Sequence, residues 1–414
     1  MASDFERRLR QYAELAIRVG LNLRAGQRLL IRAPLSTALL VRLLGEQAYQ
    51  AGARLVDVLW TDEDLDLARF RHAPRDSFDE FSEWRASGLI EAVRRGDAIL
   101  TISADNPDLL KDQDPALVAL AQQTTAKNLR PALELLSRNA TSWLVISSPT
   151  PGWAAKVFPD APPDQCEERL WSAIFEVCRM DQADPVEAWR AHIARLTASS
   201  DYLNRKRYAA LKYSAPGTDL TIGLPRDHLW VSAQSTSENG IRFTPNMPTE
   251  EVFTIPHRAQ ASGFVTASKP LNYRGALIDG FRVTFAEGRV VEASATTGAE
   301  HLRRLLESDE GARHLGEVAL VPASSPIASS GRLFYNTLFD ENAASHVALG
   351  RAYRFTLKDG EGMSTEQFAQ AGGNDSMIHV DFMIGSGQMD IDGIAADGTA
   401  EPVMRGGEWA FELP

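Results

Sequence analysis

A short segment near the C-terminus, S-M-I-H-V-D-F-M-I-G-S-G at residues 376–387, puts two chemically reactive side chains into an otherwise apolar strand. Ile378, Val380 and Phe382 alternate there with His379 and Asp381. Residues i and i+2 of a strand point to the same face, so His379 and Asp381 lie together, opposite the apolar set. Burying an imidazole beside a carboxylate costs several kcal/mol unless another group pairs with them. The pattern therefore predicts a partner for this pair.

Three other segments of the second half place potential ligands where the local pattern does not require them. Glu250 and Glu251 lie between two prolines ahead of an apolar run, and Glu317 opens the strand-like segment G-E-V-A-L-V-P. His346 follows Glu341 in a mostly uncharged stretch. Any one of these is most often an ordinary solvated residue, but several in one region indicate a shared site. The other histidines are predicted to be surface or loop residues: His72, His192, His228, His257, His301 and His314.

Imidazole and carboxylate together form a ligand set that divalent zinc, cobalt and manganese accept. Structural zinc sites usually recruit cysteine, and neither Cys166 nor Cys178 lies in this region. A set of His, Glu and Asp without cysteine suits an open catalytic centre instead. Four or more carboxylates carry enough charge for two ions, which can share a bridging water, lower its pKa and polarise a substrate carbonyl.

Composition limits the partners and the compartment. The formal net charge of −12 argues against nucleic acid as the main partner, because phosphate recognition needs a basic face. Cys166 and Cys178 lie in a predicted helix, about 18 Å apart, and are expected to be free, buried thiols of a reducing compartment. The N-terminal segment lacks the apolar core of a signal peptide, and no segment reaches the roughly 18 apolar residues of a membrane span. We therefore expect a cytoplasmic protein without a membrane partner.

The elements that must position these residues differ between the two halves. In the first half, short apolar strands alternate with helical patterns. The strands lie at 29–33, 54–60, 97–103 and 142–148, and the helices at 36–51 and around 75–95, 115–138 and 164–182. This alternation predicts a parallel, doubly wound sheet. No G-x-G-x-x-G or Walker A sequence follows a strand, so a nucleotide site is not predicted.

The second half follows a connecting helix that has Pro185 near its start. Short strands broken by Gly and Pro turns then dominate, with one helix at about 298–309. The clearest strand-like segments are 212–224, 280–295 and 352–362. We predict an α/β N-terminal domain of residues 1–190 with a mainly parallel sheet. Residues 191–414 are predicted to form a C-terminal α+β domain, rich in antiparallel strands in a curved sheet or partial barrel, which carries the metal site.

Four segments resemble signature sequences of the thermophilic-type metalloaminopeptidases, the aminopeptidase T and aminopeptidase S family: N-M-P-T-E-E-V-F, G-E-V-A-L-V-P, L-F-D-E-N-A-A-S-H-V-A-L-G and H-V-D-F-M-I-G. They occur in the family's order, and the similarity extends over the whole chain. The resemblance implies an enzyme that binds two divalent ions per subunit, typically zinc or cobalt, and removes single N-terminal residues from short peptides. It also implies a homodimer whose active sites open into an enclosed cavity.

The same resemblance implies roles for individual residues. The positions that match metal-site residues are Glu251, Glu317, Glu341, His346, His379 and Asp381. Glu317 matches the carboxylate that bridges both ions, whereas Glu341 matches a position that either contacts metal or orients the water. Tyr353 matches a tyrosine that stabilises the tetrahedral oxyanion. Glu250 is expected to act as the proton-transferring base or to support its neighbour. Adjacent residues of an extended segment face opposite ways, so Glu250 and Glu251 are not expected to bind the same ion.

Three alternatives stay open from the residues alone. Other two-metal amidohydrolases or phosphoesterases use the same ligand types. A peptide- or metal-binding homologue that has lost catalysis would keep them as well. The polar residues could also satisfy one another in an ordinary α/β core. Dependence on a free α-amine, turnover after addition of metal, and the metal content distinguish these alternatives.

Overall fold

The computed structural model describes residues 4–273 and 276–412. Contacts along the chain group these residues into two compact units. The first contains the chain up to Ala191 together with Gln234–Pro248 and Leu333–Leu338. The second contains His192–Ala233, Thr249–Arg332 and the chain from Phe339 onward. Two short segments from the second half of the sequence thus belong to the first unit.

The elements of the described residues are as follows. The α-helices are α1 Asp4–Leu15, α2 Ala38–Gln50, α3 Glu63–His72, α4 Glu83–Arg95, α5 Pro115–Ser137, α6 Pro151–Val157, α7 Pro163–Val177, α8 Pro185–Lys206, α9 Ala299–Leu306, α10 Pro326–Ser330, α11 Thr337–Asp340 and α12 Thr365–Gln370. The first ten strands are β1 Arg28–Pro34, β2 Leu55–Thr61, β3 Ala98–Ser103, β4 Trp143–Ser147, β5 Ala210–Ala215, β6 Thr218–Gly223, β7 Ser235–Thr236, β8 Arg242–Phe243, β9 Val252–Thr254 and β10 Ala261–Thr266. The others are β11 Leu271–Tyr273, β12 Ala276–Ile278, β13 Arg282–Ala286, β14 Arg289–Ser294, β15 Leu315–Leu320, β16 His346–Gly350, β17 His379–Met383, β18 Asp390–Ile394, β19 Ala400–Arg405 and β20 Glu408–Trp409.

The first unit is built on a four-stranded parallel sheet in the order β2-β1-β3-β4. β1 and β3 are mostly buried along their length, as expected of parallel strands that are covered by helices. Leu30 and Ile99 of these strands pack with Leu89, Val93 and Leu136 of α4 and α5. The four predicted strands and their parallel arrangement are confirmed.

The helical pattern predicted around 75–95 is only partly confirmed. α4 begins at Glu83, and a 3-10 turn at Arg75–Ser77 precedes it. The sequence prediction also lacks α3. This helix has no buried residue and therefore no apolar stripe that a periodicity argument could detect. The side chain of Asp62 caps α3 by accepting two backbone hydrogen bonds from its first turn.

The second unit is mainly antiparallel, which confirms the predicted fold class. One sheet has the order β14-β13-β10-β6-β5-β18-β19-β20, and another has the order β17-β16-β15-β9. The hairpin β5–β6 turns at Gly217, and β13–β14 turns at Glu287 and Gly288, all residues with positive φ. The helix expected near 298–309 is α9.

One predicted strand, at 352–362, is wrong. The segment forms two 3-10 turns, Arg354–Thr356 and Gly360–Gly362. The first turn is closed by the carbonyl of Tyr353, which accepts hydrogen bonds from both the backbone N–H and the hydroxyl group of Thr356. These local bonds take the place of a strand ladder, and alternating hydrophobicity alone does not reveal them.

The four-stranded sheet of the second unit has two unlike faces. One face is apolar and buried, with Val252, Val318, Leu320, Val347, Leu349, Val380 and Phe382. The cross-strand register pairs Glu317 with Ala348 and Ala348 with Asp381, so these three residues share the opposite face. Ala319 and Gly350 lie on that face as well. Small residues therefore separate the polar side chains and leave space between them.

Two further sequence predictions concern the thiols and the membrane. Cys166 and Cys178 are buried and form no disulfide among the described residues, as predicted. Cys178 directly follows the last residue of α7, and its carbonyl accepts a hydrogen bond from the indole of Trp189. None of the helices in the described residues combines the length and the apolar character that a bilayer crossing requires.

Candidate metal centre

Side chains from three strands of the sheet β17-β16-β15-β9, and from the residue before its fourth strand β9, converge on the polar face of the sheet. Glu251 directly precedes β9, Glu317 lies on β15, His346 begins β16, and His379 and Asp381 lie on β17. Potential ligand atoms of the first three residues lie within 4.8 Å of one another, and so do those of the last two with Glu317. We call these the first triad and the second triad. Glu317 belongs to both.

The two carboxylate oxygens of Glu317 face different histidines. Its Oε1 atom lies 3.5 Å from Nε2 of His346, and its Oε2 atom lies 3.6 Å from Nε2 of His379. Each histidine also faces a carboxylate of its own triad. Nε2 of His346 is 3.3 Å from Oε2 of Glu251, and Nε2 of His379 is 3.4 Å from Oδ1 of Asp381. The triads therefore meet at a single carboxylate.

Backbone carbonyl groups orient both imidazole rings. Nδ1 of His346 is 3.1 Å from the carbonyl oxygen of Ala344, and Nδ1 of His379 is 2.6 Å from that of Arg351. A carbonyl oxygen can only accept, so Nδ1 carries the hydrogen in each ring. In the neutral imidazole this leaves a lone pair on Nε2, directed toward the carboxylates. Metal-binding histidines are commonly held in this way.

Burial and crowding shift the ionisation of the carboxyl groups. Burial raises the pKa of Glu317 to about 6, against the opposing effect of its hydrogen bond with His346. Burial, together with the charges of Glu251 and Asp381, raises the pKa of Glu341 well above its ordinary value. In the metal-free protein these carboxyl groups therefore retain protons more readily than solvated ones.

The imidazole groups respond to the same negative charge. Although burial opposes it, the carboxylate of Asp381 raises the pKa of His379 to about 9. Burial is likewise overcome at His346, where contacts with Glu251 and Glu317 raise the pKa well above its ordinary value. The carboxylates of the polar face thus favour bound positive charge. In the metal-free protein, protons on His346 and His379 supply that charge.

The carboxylate of Asp381 indicates whether these residues suit a metal ion. Its Oδ1 atom is buried and has an ion-pair contact with Nε2 of His379 at 3.4 Å, but it accepts no hydrogen bond of normal geometry from any described residue. A buried carboxylate oxygen in that state is costly unless a cation satisfies it. A bound divalent cation would do so, and imidazole nitrogen with carboxylate oxygen is a suitable donor set. The residues therefore fit a divalent metal.

Tyr353 lies beside the second triad although it is not on a strand. Its ring centroid is 4.7 Å from that of His379. Burial, together with the charges of Glu317 and Asp381, raises the pKa of Tyr353 well above its ordinary value, so the phenol stays protonated and can donate a hydrogen bond. Glu341, in the 3-10 turn Glu341–Ala343, belongs to neither triad of the described residues.

Glu250 and its neighbour have different surroundings, as expected of adjacent residues in an extended segment. Oε2 of Glu250 lies 3.6 Å from Nε2 of His192 on α8. The backbone N–H of Glu250 donates to Oδ1 of Asn342 at 2.7 Å. Glu251 belongs to the first triad instead. Asn342, which directly follows Glu341, thus ties the two carboxylate-bearing segments together, and nothing in the sequence pattern signals it.

The prediction of a surface or loop position is wrong for His192, which is buried on α8. His228 and His314 are buried as well, although they lie outside the named helices and strands. His192 is 4% exposed, and its Nε2–H donates to the carbonyl of Thr249 at 2.8 Å. The spacing in the sequence indicates this burial. His192 lies three residues after the large apolar Trp189, so both residues share one face of the helix, and Trp189 is fully buried.

Comparisons with known proteins show the family to which the chain belongs. The thermophilic metalloprotease (M29) family matches residues 5–409. The chain is 49% identical to aminopeptidase 2 of Geobacillus stearothermophilus over 409 residues, covering 99% of each chain. It is 47% identical to aminopeptidase T of Thermus thermophilus over 405 residues, covering 98% of this chain and 99% of that one.

A solved structure shares the whole fold. The wild-type AmpT structure from Thermus thermophilus superposes with a TM-score of 0.93 at 46% identity, covering 98% of this chain and 100% of that one. The chain therefore belongs to the thermophilic metalloprotease (M29) family and is a metal-dependent aminopeptidase, a hydrolase that acts on peptide bonds.

Proposed function

We propose that the protein is an exopeptidase that removes single N-terminal residues from short peptides at a dinuclear metal centre. The observation that carries this proposal is the position of Glu317 between the two triads, with one carboxylate oxygen toward each histidine. A carboxylate that serves two triads at once is well placed to contact both ions of a two-metal site.

One ion would be held by Glu251, Glu317 and His346, and the other by Glu317, His379 and Asp381. Zinc, cobalt and manganese all suit these donors. When bound, the pair of ions supplies Lewis-acid polarisation of the scissile carbonyl, a lowered pKa for a water held between them, and an anchor for the substrate's free α-amine.

Glu341 is our candidate for proton transfer. Burial and the charges of Glu251 and Asp381 raise its pKa in the metal-free protein, which shows that its carboxyl group is buried close to those ligands. With those charges offset by bound ions, its carboxylate form would take a proton from the attacking water and return it to the leaving amine. Glu250 is the alternative. Its contact with His192 and its bond to Asn342 support a role in holding the neighbouring Glu251 instead. The variants Glu341→Gln and Glu250→Gln separate the two roles, because only the residue that transfers the proton should lower kcat while leaving the metal content unchanged.

Tyr353 donates its hydroxyl hydrogen to the oxyanion that develops on the scissile carbonyl. Its protonated state and its ring contact with His379 support this role. If the hydroxyl group of Tyr353 is directed at the position of the oxyanion in the tetrahedral transition state, it forms only a weak hydrogen bond with the planar carbonyl of the bound substrate. We therefore assign Tyr353 to the transition state rather than to substrate binding.

The assembly and the compartment complete the proposal. A homodimer is supported by family resemblance. Light scattering on the purified protein should give twice the 45.5 kDa of one chain. Two buried cysteines that form no disulfide support a cytoplasmic location.

The decisive experiment compares Ala-Ala-Ala with N-acetyl-Ala-Ala-Ala after the chelator-stripped protein has been reloaded with zinc, cobalt or manganese. We expect two ions per chain by mass spectrometry of metals, release of free alanine from the unblocked peptide, and no cleavage of the blocked one. Equal cleavage of both peptides would identify a different two-metal amidohydrolase. Two bound ions without turnover on any peptide would identify a binding protein.

A further inference from the structure

Three aromatic rings form a group on the polar face of the sheet β17-β16-β15-β9, beside the triads. Tyr353 and Phe355 stack with their ring centroids 5.3 Å apart. Phe253 meets Tyr353 and Phe355 edge-on, at 6.4 Å and 6.2 Å. Tyr353 in turn contacts the ring of His379, at 4.7 Å. The aromatic group is therefore continuous with the second triad.

The strand register puts Phe253 next to the first triad as well. Phe253 lies two residues after Glu251 in extended backbone, so both side chains point to the same face. It pairs across β9–β15 with Ala319, and Ala319 pairs across β15–β16 with His346. Ala319, whose side chain is a single methyl group, lies between Phe253 and His346 in this cross-strand row. Apolar ring surface thus faces the same space as the ligand atoms.

These rings differ from the phenylalanines that build the core of the second unit. Phe281, Phe339, Phe368 and Phe382 are less than 2% exposed. Phe253, Tyr353 and Phe355 are only half-buried. Core packing consequently does not account for all of their surface, and ring area beside a polar centre remains available to a ligand.

We propose that Phe253 and Phe355 contact the side chain of the substrate's N-terminal residue and give the enzyme a preference for large apolar and aromatic residues there. This inference rests on the proposed function and deepens it. In an N-terminal residue, the amine and the scissile carbonyl are attached to the same Cα atom, so its side chain emerges within a few ångströms of the metal centre. Apolar ring surface at that distance favours an apolar side chain, and stacking adds to aromatic ones. The carboxylates nearby disfavour an acidic side chain.

The experiment measures kcat/KM for Phe-Ala, Ala-Phe and Ala-Ala with the metal-loaded wild type and with Phe253→Ala, Phe355→Ala and the conservative Phe355→Leu. We expect each alanine variant to lose about tenfold or more on Phe-Ala and less than about twofold on Ala-Ala, with Phe355→Leu between them. The control is Phe264→Ala, which removes a half-buried ring of β10 that packs against Arg282 and should leave the ratio of Phe-Ala to Ala-Ala unchanged.

A binding measurement gives a readout other than turnover. Calorimetry should find that L-phenylalanine, the product, binds more tightly than L-alanine to the wild type, and that Phe355→Ala lowers this preference about tenfold. Equal losses on Phe-Ala and Ala-Ala would overturn the proposal, because the rings would then only support the centre. A loss confined to Ala-Phe would also overturn it by assigning the rings to the second residue. Failure of the wild type to cleave Ala-Ala would instead contradict the proposed function.

Discussion

The two triads share one carboxylate and use the same ligand types, yet their histidines differ in exposure. The side chain of His346 is 1% exposed, whereas that of His379 is 12% exposed. His346 begins a strand in which every residue is buried, whereas His379 contacts the ring of Tyr353. The first triad is thus built into the protein interior, and the second is bordered by residues that can meet a substrate. We expect the first to hold its ion more firmly and the second to be more directly involved in substrate binding.

The largest effect should follow from removing what the triads share. Glu317→Gln keeps the shape of the side chain but removes the charge that both ions need, so both should bind much more weakly. Because metal polarisation is worth several kcal/mol, we expect kcat/KM to fall by about 10³-fold or more. Metal content and peptide hydrolysis measure this. Glu292→Gln, an exposed position on β14, is the control and should have no effect. Two retained ions in Glu317→Gln would contradict the shared role.

The next comparison removes one histidine from each triad. His379→Ala should lose one ion and retain the other, with kcat/KM reduced about 10²-fold or more. His346→Ala leaves Glu251 and Glu317 without their buried partner, so it should also lower the thermal unfolding midpoint of the metal-free protein. Metal stoichiometry and calorimetry separate the two variants. His301→Ala, on the exposed surface of α9, is the matched control. Full activity of His379→Ala would remove the second triad from the site.

A smaller loss is expected from the hydroxyl group beside the second triad. Tyr353→Phe should lower kcat about 10²-fold, because one oxyanion donor is lost, and should leave KM nearly unchanged. Tyr213→Phe is a close control, since the hydroxyl of Tyr213 is also buried but has no hydrogen-bond partner among the described residues. A rise in KM with unchanged kcat in Tyr353→Phe would show that the hydroxyl group binds substrate rather than the transition state.

The smallest expected effect is a pH dependence of metal binding. The pKa of His379 in the metal-free protein is raised from 6.5 to about 9, so its contribution to stability is complete below about pH 6.5 and is lost as the pH rises toward 9. Metal binding needs the neutral ring and therefore displaces a proton in that window. Apparent affinity should increase up to about tenfold per pH unit for each displaced proton.

Calorimetric titrations of the stripped protein at several pH values between 6.5 and 8.5 measure that slope. The gap in thermal stability between the loaded and stripped proteins should widen over the same range. In His379→Ala, the increase in metal affinity per pH unit should be smaller by the contribution of one displaced proton. An affinity that does not change with pH in the wild type would contradict the protonation state assigned to His379.

Much of the site could be predicted from short patterns because its residues lie on strands. Alternation along β17 indicates that His379 and Asp381 share a face, and the register bears this out. The strand that carries Glu317 was equally visible from its apolar run. By contrast, Tyr353 lies beside 3-10 turns that resemble a strand in sequence, and the prediction failed there because local hydrogen bonds replace the ladder.

The sequence by itself determined which residues could do the chemistry and on which side of each strand they point, because a strand's period of two is a local property. Only the tertiary structure decided which of them meet. In the tertiary structure Glu251 belongs to the first triad, whereas Glu250 contacts His192. The two carboxylate oxygens of Glu317 each face a different histidine. Gln234–Pro248 and Leu333–Leu338 belong to the first unit. Cross-strand register and chain return depend on contacts between residues far apart in sequence, and no local pattern records those contacts.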